Sequence, residues 1–333
     1  MKAAVRSAVG APQVLQLQDV PQPSLRGDHE VLVRLKAAGV NPVDTKLRAN
    51  PSPYPLHTPV VLGCDGAGIV EAVAPSVANF KPGDEVYFCR CGFGDKTGTY
   101  AQYVAVEEHF LANKPKRLDF VTAAAAPLVL ITAWESLYDR AHIAPQQAVL
   151  IHGGAGGVGH VAVQLARHAG ARIATTVGAA SKAAFTETLG AARSILYKSE
   201  DFVGAVMAWT QGQGVAMALD TVGGATFQQT FAAVSCYGDV VTLLQPGNDV
   251  DWTLARQRNL RIGFELMLSP MLADLPDAQQ HQGEILRQCA NRIDAGKLKI
   301  HVAEVFPLAE AARAHEFLER AAPMGKVVLS IDD

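Results

Sequence analysis

Gly154, Gly156 and Gly159 stand in the spacing G-x-G-x-x-G within the stretch "VLIHGGAGGVGHVAVQLA". The apolar run "AVLIHG" precedes them, and Val158, Val161, Ala162, Leu165 and Ala169 follow at helical spacing. A strand before the glycines and a helix after them is the context in which this pattern binds a dinucleotide. In that setting the first glycine allows a tight turn and the second lets backbone approach a pyrophosphate. The third lets the helix pack close to the strand. The new helix, opened by Gly157 and Val158, offers oriented N–H groups to the phosphates.

Where the second strand ends, at "TTVGAASK", an NAD site places an Asp or Glu to hold both ribose hydroxyls. This chain has Gly178 there, then Ser181 and Lys182. A carboxylate repels a 2′-phosphate, whereas a hydroxyl and an ammonium bind it. Tyr197, at the end of the next strand, adds a phenolic donor. The expected cofactor is therefore NADPH, with NADH the weaker ligand.

The elements that must position these groups fall into two textures. Residues 1–122 read as short strands bounded by Pro, Gly and Asp, among them "KAAVR", "VLQLQDV", "EVLVRLKAAGV", "GAGIVEAVA", "DEVYF" and "YAQYVAV". They predict an all-β, barrel-like module. After Pro145, strands are predicted at Ala148–Ile151, Arg172–Thr176, Ser194–Leu196, Val215–Asp220, Asp239–Leu243 and Arg261–Phe264. Helices are predicted near Val158–His168, Lys182–Leu189, Phe202–Trp209 and Ala225–Val234. This alternation predicts an α/β domain, a doubly wound parallel sheet with helices on both faces. The tail from residue 266 ends in "MGKVVLSID", a strand expected to return to the first module.

Composition bounds the possibilities further. A chain of 333 residues is long enough for two domains. A net charge of −3 gives no electrostatic basis for binding nucleic acid or an anionic membrane. No apolar run approaches the roughly 18 residues of a membrane helix, and the N-terminus is too broken by charge, Gly and Pro for a signal peptide. Five scattered cysteines, Cys64, Cys89, Cys91, Cys236 and Cys289, read as unpaired thiols in a reducing cytoplasm. His57, His109 and His160 read as surface histidines, and His152 lies near the cofactor without an evident partner.

Taken together, "AGVNPVDTKLRA", "PVVLGCDGAGIVEAV", "FKPGDEVY", "GTYAQYVAV", "AAPLVLITAWESL", the glycine turn and "MGKVVL" resemble the medium-chain dehydrogenase/reductase superfamily. The nearest branch is the zinc-independent quinone oxidoreductases, which include ζ-crystallin. The resemblance covers essentially the whole chain. It implies a GroES-like β-barrel domain, residues 1–122 completed by 266–333, and a Rossmann domain over 123–265. It also implies a homodimer joined through the Rossmann sheets and an active site in the interdomain cleft.

The zinc enzymes of the superfamily carry a ligand Cys where this chain has Asn41, and Gly-His-Glu where it reads Gly63-Cys64-Asp65. Loss of the imidazole and thiolate leaves too few ligands for zinc, so no metal is expected. The resemblance implies that Asn41 and Thr132 contact the nicotinamide end, and that Leu243 and Leu244 line the cofactor. It puts Lys326 in the segment closing over the cleft and counts it among the cofactor-binding residues. Asn41 and Tyr54 are the candidate catalytic residues, the latter as proton donor, while Asp44 reads as a structural residue of its turn.

Without a Lewis acid, quinones and α,β-unsaturated carbonyls remain reducible by hydride, through positioning and hydrogen bonds to the developing oxyanion. The alternatives are a zinc-type alcohol dehydrogenase, an enoyl-thioester reductase of the same superfamily, and a nucleotide-binding structural or sensor protein without turnover.

Overall fold

Period-2 apolar patterning in the first third of the chain produces strands whose inward residues are buried. A computed structural model describes residues 1–332 apart from Pro55, His57, Thr58 and Asp95. His57, read above as a surface histidine, thus lies outside the described residues. The chain divides into two compact units, Met1–Leu128 with Leu268–Asp333, and Val129–Met267.

The first unit holds β1 (Lys2–Arg6), β2 (Leu15–Asp19), β3 (Glu30–Val40), β4 (Val60–Val61), β5 (Asp65–Val73), β6 (Glu85–Cys89), β7 (Tyr103–Glu107) and β8 (Leu111–Asn113). β1 lies between β2 and β4 in a small sheet. The long strand β3 is the hub of the larger one, pairing antiparallel with both β5 and β7. Its close contact with β5 depends on glycine: a Cβ on Gly68 would sit 2.1 Å from the Arg34 carbonyl oxygen.

The second unit is a six-stranded parallel sheet of β9 (Ala148–Ile151), β10 (Arg172–Val177), β11 (Arg193–Leu196), β12 (Val215–Asp220), β13 (Val234–Thr242) and β14 (Arg261–Phe264). The order is β11-β10-β9-β12-β13-β14, so the winding reverses between β9 and β12. That reversal opens a crevice at the carboxyl ends of these two strands. Leu150, Ala174, Ile195, Val206, Ala218 and Phe227 form the sheet–helix core.

One element departs from expectation. The helix predicted to run to Val234 spans only Gly224–Thr230, and Val234 already opens β13 opposite Val215. The β-branched Val234 gains a ladder partner and a fully buried site, which outweigh its place in an apolar helical pattern.

After the second unit, β15 (Val302–Pro307) and β16 (Lys326–Ser330) complete the first unit's large sheet, β16 pairing antiparallel with β3 from Val327↔Val40 to Ser330↔Ala37. The C-terminal strand thereby brings Lys326 to the end of β3, beside Asn41.

Candidate functional site

In the second unit the glycine turn follows β9. Gly153, not Gly154, takes the left-handed backbone conformation, with φ of +66°. Gly154 is required for a different reason: a Cβ there would lie 1.9 Å from Thr175 Oγ1 on the neighbouring strand. At Gly159 a Cβ would meet the Gly153 carbonyl oxygen at 2.1 Å, so this glycine lets the helix close on the turn. At Gly156 a Cβ would have one close neighbour, the Gly153 carbonyl oxygen at 3.2 Å, a far looser approach than at Gly154 or Gly159.

Gly156 is also the N-cap of helix Gly157–His168, and it has no side chain to satisfy the first amides. The first helical bond runs from His160 N to Gly156 O, at 3.0 Å. The amides of Gly157, Val158 and Gly159 therefore have no intrahelical acceptor and suit an anionic group.

At the end of β10, a Cβ on Gly178 would lie 2.9 Å from Tyr197 Oη, so a carboxylate there would run into the phenol. Ser181 and Lys182 occupy the first turn of helix Ala180–Leu189, and Tyr197, directly after β11, is 54% exposed. These four residues gather at the carboxyl ends of two adjacent strands. Leu243 and Leu244 directly follow β13, across the reversal point, and Leu244 packs beneath Gly223. Thr132 lies buried in helix Pro127–Trp134. A reduced dinucleotide fits this donor set: open amides, a glycine-cleared approach, and a hydroxyl, an ammonium and a phenol where an acid is excluded.

Two histidines need correction. His160 is fully buried rather than a surface residue, with Nδ1 turned back to the Gly156 carbonyl at 3.0 Å. His152 has partners after all, Thr176 Oγ1 at 3.1 Å and Thr230 Oγ1 at 2.9 Å. Burial pushes its pKa down to about 4, against the pull of Asp220. A neutral imidazole bridging two threonines is a structural group here. His109 is half-buried, its Nε2 2.9 Å from Gln279 Oε1.

The first unit holds a buried polar cluster that the sequence gives no sign of. Asn41 is 1% exposed. Its backbone N–H donates to Asp44 Oδ2 (2.9 Å) and its side-chain amide donates to Asp65 Oδ2 (2.9 Å), while its Oδ1 accepts from Lys326 Nζ. Lys326 Nζ also donates to the Val40 carbonyl (3.1 Å) and stands 3.6 Å from Asp65 Oδ2. Three acceptors face its three donors. Lys326, expected at the cofactor, is held by this cluster, and it fixes which way the Asn41 amide points.

Asp65 further accepts from Leu128 N at 2.8 Å. With two carboxyls and one ammonium sealed from water, one carboxyl must hold a proton near neutrality. Asp44 does so: burial raises its pKa to about 7, and neighbouring Asp65 adds to the rise, against the pull of the Asn41 amide and Lys326. Tyr100 Oη lies 3.2 Å from Asp44 Oδ2 and 3.1 Å from His315 Nε2. Burial, aided by Arg48, holds the His315 pKa down to about 3, so its ring is neutral.

A carboxyl whose pKa rises on folding stabilises the folded state below its unfolded value of ~3.9, and that contribution is lost as pH rises through about 7. Asp44→Asn is expected to remove this loss, so the variant gains on the wild type by roughly 3–4 kcal/mol between pH 4 and 8. Urea unfolding of both proteins across that range checks it; parallel pH profiles would refute the assignment.

Tyr54 belongs to the same unit and is half-buried, its ring meeting Phe93 edge-on at 5.4 Å between centroids. The reading of all five cysteines as unpaired is overturned for two of them. Cys64 and Cys91 form a disulfide, and Arg90 N bonds to Cys64 O (2.7 Å) beside it.

Residues 27–116 match the alcohol dehydrogenase GroES-like domain and residues 189–329 the family described as zinc-binding dehydrogenase. A quinone oxidoreductase of Pseudomonas aeruginosa is 32% identical over 97% of both chains. The chain belongs to the quinone oxidoreductases of the medium-chain dehydrogenase/reductase superfamily. Like others of this family it is an oxidoreductase, built from a GroES-like domain and a Rossmann domain. A 2-haloacrylate reductase from a Burkholderia species is also 32% identical, over 98% of both chains. The Escherichia coli quinone oxidoreductase, solved in complex with NADPH, superposes with a TM-score of 0.87 at 29% identity, covering 99% of this chain and 100% of that one.

The family description mentions zinc, and the side chains of this quinone oxidoreductase do not fit that ion. Cys64 is committed to a disulfide, and Asn41 and Asp65 are committed to Lys326. Among the described residues no three His, Cys, Asp or Glu side chains converge as metal ligands, and no helix is long and apolar enough to cross a membrane.

Proposed function

We propose that this quinone oxidoreductase is an NADPH-dependent, zinc-independent reductase that transfers hydride to a quinone or to the β-carbon of an α,β-unsaturated carbonyl. The observation that carries the cofactor choice is Gly178 beneath Tyr197, with Ser181 and Lys182 in the helical turn that follows. The similarity to a 2-haloacrylate reductase, named for an activated alkene, supports the wider acceptor class.

When bound, the reduced nicotinamide supplies the hydride. The open amides of Gly157 and Val158 would hold the pyrophosphate, and Ser181, Lys182 and Tyr197 would hold the 2′-phosphate. Thr132, Leu243 and Leu244 line the cofactor. In this reading the Asn41 amide, already bonded to Asp65, is the donor to the acceptor's carbonyl oxygen as negative charge develops. Its orientation is already fixed by Lys326 and Asp65, so no reorganisation is needed when that charge forms. Tyr54 supplies the proton that completes the reduction.

Assembly as a homodimer is supported by β14, the last strand of the parallel sheet, which presents Phe264 at 54% exposure. Light scattering should give twice the chain mass.

Replacing Lys182 by Ala should weaken NADPH about 10- to 100-fold, the loss of one charge-assisted contact, while NADH binding stays within about twofold. Fluorescence titration with both cofactors measures this. Equal losses would sink the 2′-phosphate assignment, and a panel of quinones and enones tests turnover.

A further inference from the structure

The Cys64–Cys91 bond takes no part in the chemistry above, yet it joins the two segments that chemistry depends on. Cys64 directly precedes Asp65, which orients the Asn41 amide. Cys91 lies two residues past Cys89, the strand partner of Asp65 across β5 and β6. Both bonded cysteines are 1% exposed. Past Cys91, Phe93 N bonds to Cys91 O (2.9 Å), Lys96 N to Phe93 O (3.2 Å) and Gly98 N to Val61 O (3.0 Å). Phe93, two residues from the bridge, is the ring against which Tyr54 rests.

A third thiol stands close by without competing. Cys89 is buried beside Asp65, and burial together with that carboxylate pushes its pKa well above the ordinary value. Its partner is that carboxylate, whereas Cys64 and Cys91 are already paired with each other. Cys289 is likewise buried, its pKa pushed up to about 12.

We propose that Cys64 and Cys91 are a reversible thiol–disulfide couple that exchanges with low-molecular-weight thiols and sets how firmly Phe93, Lys96 and Gly98 are held, and through Phe93 the placement of Tyr54. In the oxidising direction one protein thiolate attacks a small disulfide such as oxidised glutathione, releasing one glutathione thiolate. The second protein thiolate then attacks the mixed disulfide and releases the other. Two protein thiols become one protein disulfide, and one glutathione disulfide becomes two glutathione thiols, taking up the two electrons and two protons. The reverse sequence reduces the bridge. Both sulfurs are covered, so exchange waits on local opening around them and is slow. The effect on Tyr54 rests on the proposed function; the couple itself does not.

The test equilibrates the full chain in glutathione buffers of graded reduced-to-oxidised ratio, followed by alkylation and peptide mapping. A Cys64–Cys91 linked peptide should appear in the oxidising buffers, with that form two hydrogen atoms lighter, and vanish in the reducing ones. Hydrogen exchange should then show the amides of Phe93, Lys96 and Gly98 opening at least about tenfold faster in the reduced form. The double variant C64S/C91S should match the reduced form at every ratio. The absence of a linked peptide at all ratios, or the same exchange in both forms, overturns the inference. In turnover, reduction should raise the KM for a quinone and leave NADPH affinity unchanged. No turnover in either form refutes the enzymatic reading instead, because mapping and exchange are read without substrate.

Discussion

Lys326→Met lowers the unfolding free energy by about 3–5 kcal/mol, the cost of removing one partner from a sealed ion pair. The substitution keeps much of the side-chain volume, so the loss arises from electrostatics rather than from a cavity. Without the ammonium, Asp65 keeps its bonds from Asn41 and Leu128 but loses its counter-charge, and the Asn41 and Val40 carbonyl oxygens lose a donor. Adding Asp65→Asn removes the stranded charge and should recover part of the loss. Thermal and urea midpoints of the wild type, the single variant and the double variant measure both effects. A loss below about 1 kcal/mol would mean that Lys326 is not the counter-charge of the cluster. Because Lys326 also orients Asn41, any folded fraction of the single variant should lose kcat with a quinone while its NADPH affinity is retained.

Gly156→Ala should weaken NADPH by roughly 10- to 100-fold, about 1.4–2.7 kcal/mol, with little change in thermal midpoint. The two halves of this expectation separate binding from folding. A methyl at this position asks only a few tenths of an ångström of its nearest neighbour, the Gly153 carbonyl oxygen at 3.2 Å, and φ is an ordinary −80°. In the proposed cofactor site the methyl would stand in the way of a pyrophosphate approaching the amides of Gly157 and Val158. Gly159→Ala is the contrasting variant. Its added carbon would meet backbone at 2.1 Å, so stability and binding should fall together. Isothermal titration and differential scanning calorimetry on the two variants decide the matter. Unchanged NADPH affinity in Gly156→Ala would place the pyrophosphate elsewhere.

The sequence made the parallel sheet legible because its signals are local. Apolar strands alternate with helices at regular spacing, and each glycine of the turn is separated from the next by one or two residues. Gly178, Ser181 and Lys182 also lie within five residues of one another, so the missing acid and added cation read directly from the chain. Even there the glycine roles shifted. Gly153 takes the left-handed conformation, and Gly154 is needed because Thr175, on another strand, presses against it.

The histidines mark where local reading ends. His160 sits in the first turn of a helix, a position often solvated, yet that turn is the part of the helix buried against the glycine loop. His152 acquires two threonine partners from β10 and from helix Gly224–Thr230, 24 and 78 residues away.

By itself the sequence determined the dinucleotide turn, the strand and helix alternation and the family, because glycine spacing and apolar period are written in neighbouring residues. Only the tertiary structure decided the state of the buried charges and the cysteines. Lys326 meets Asn41 across 285 residues, and Cys64 meets Cys91 across 27. Neither pairing has a sequence signature, since each is made by antiparallel strands that place distant residues side by side: β16 against β3, and β5 against β6. Burial then supplies the energetics. In water these carboxyls and this ammonium would be ordinary surface groups; sealed together, they must share a proton and satisfy one another's hydrogen bonds.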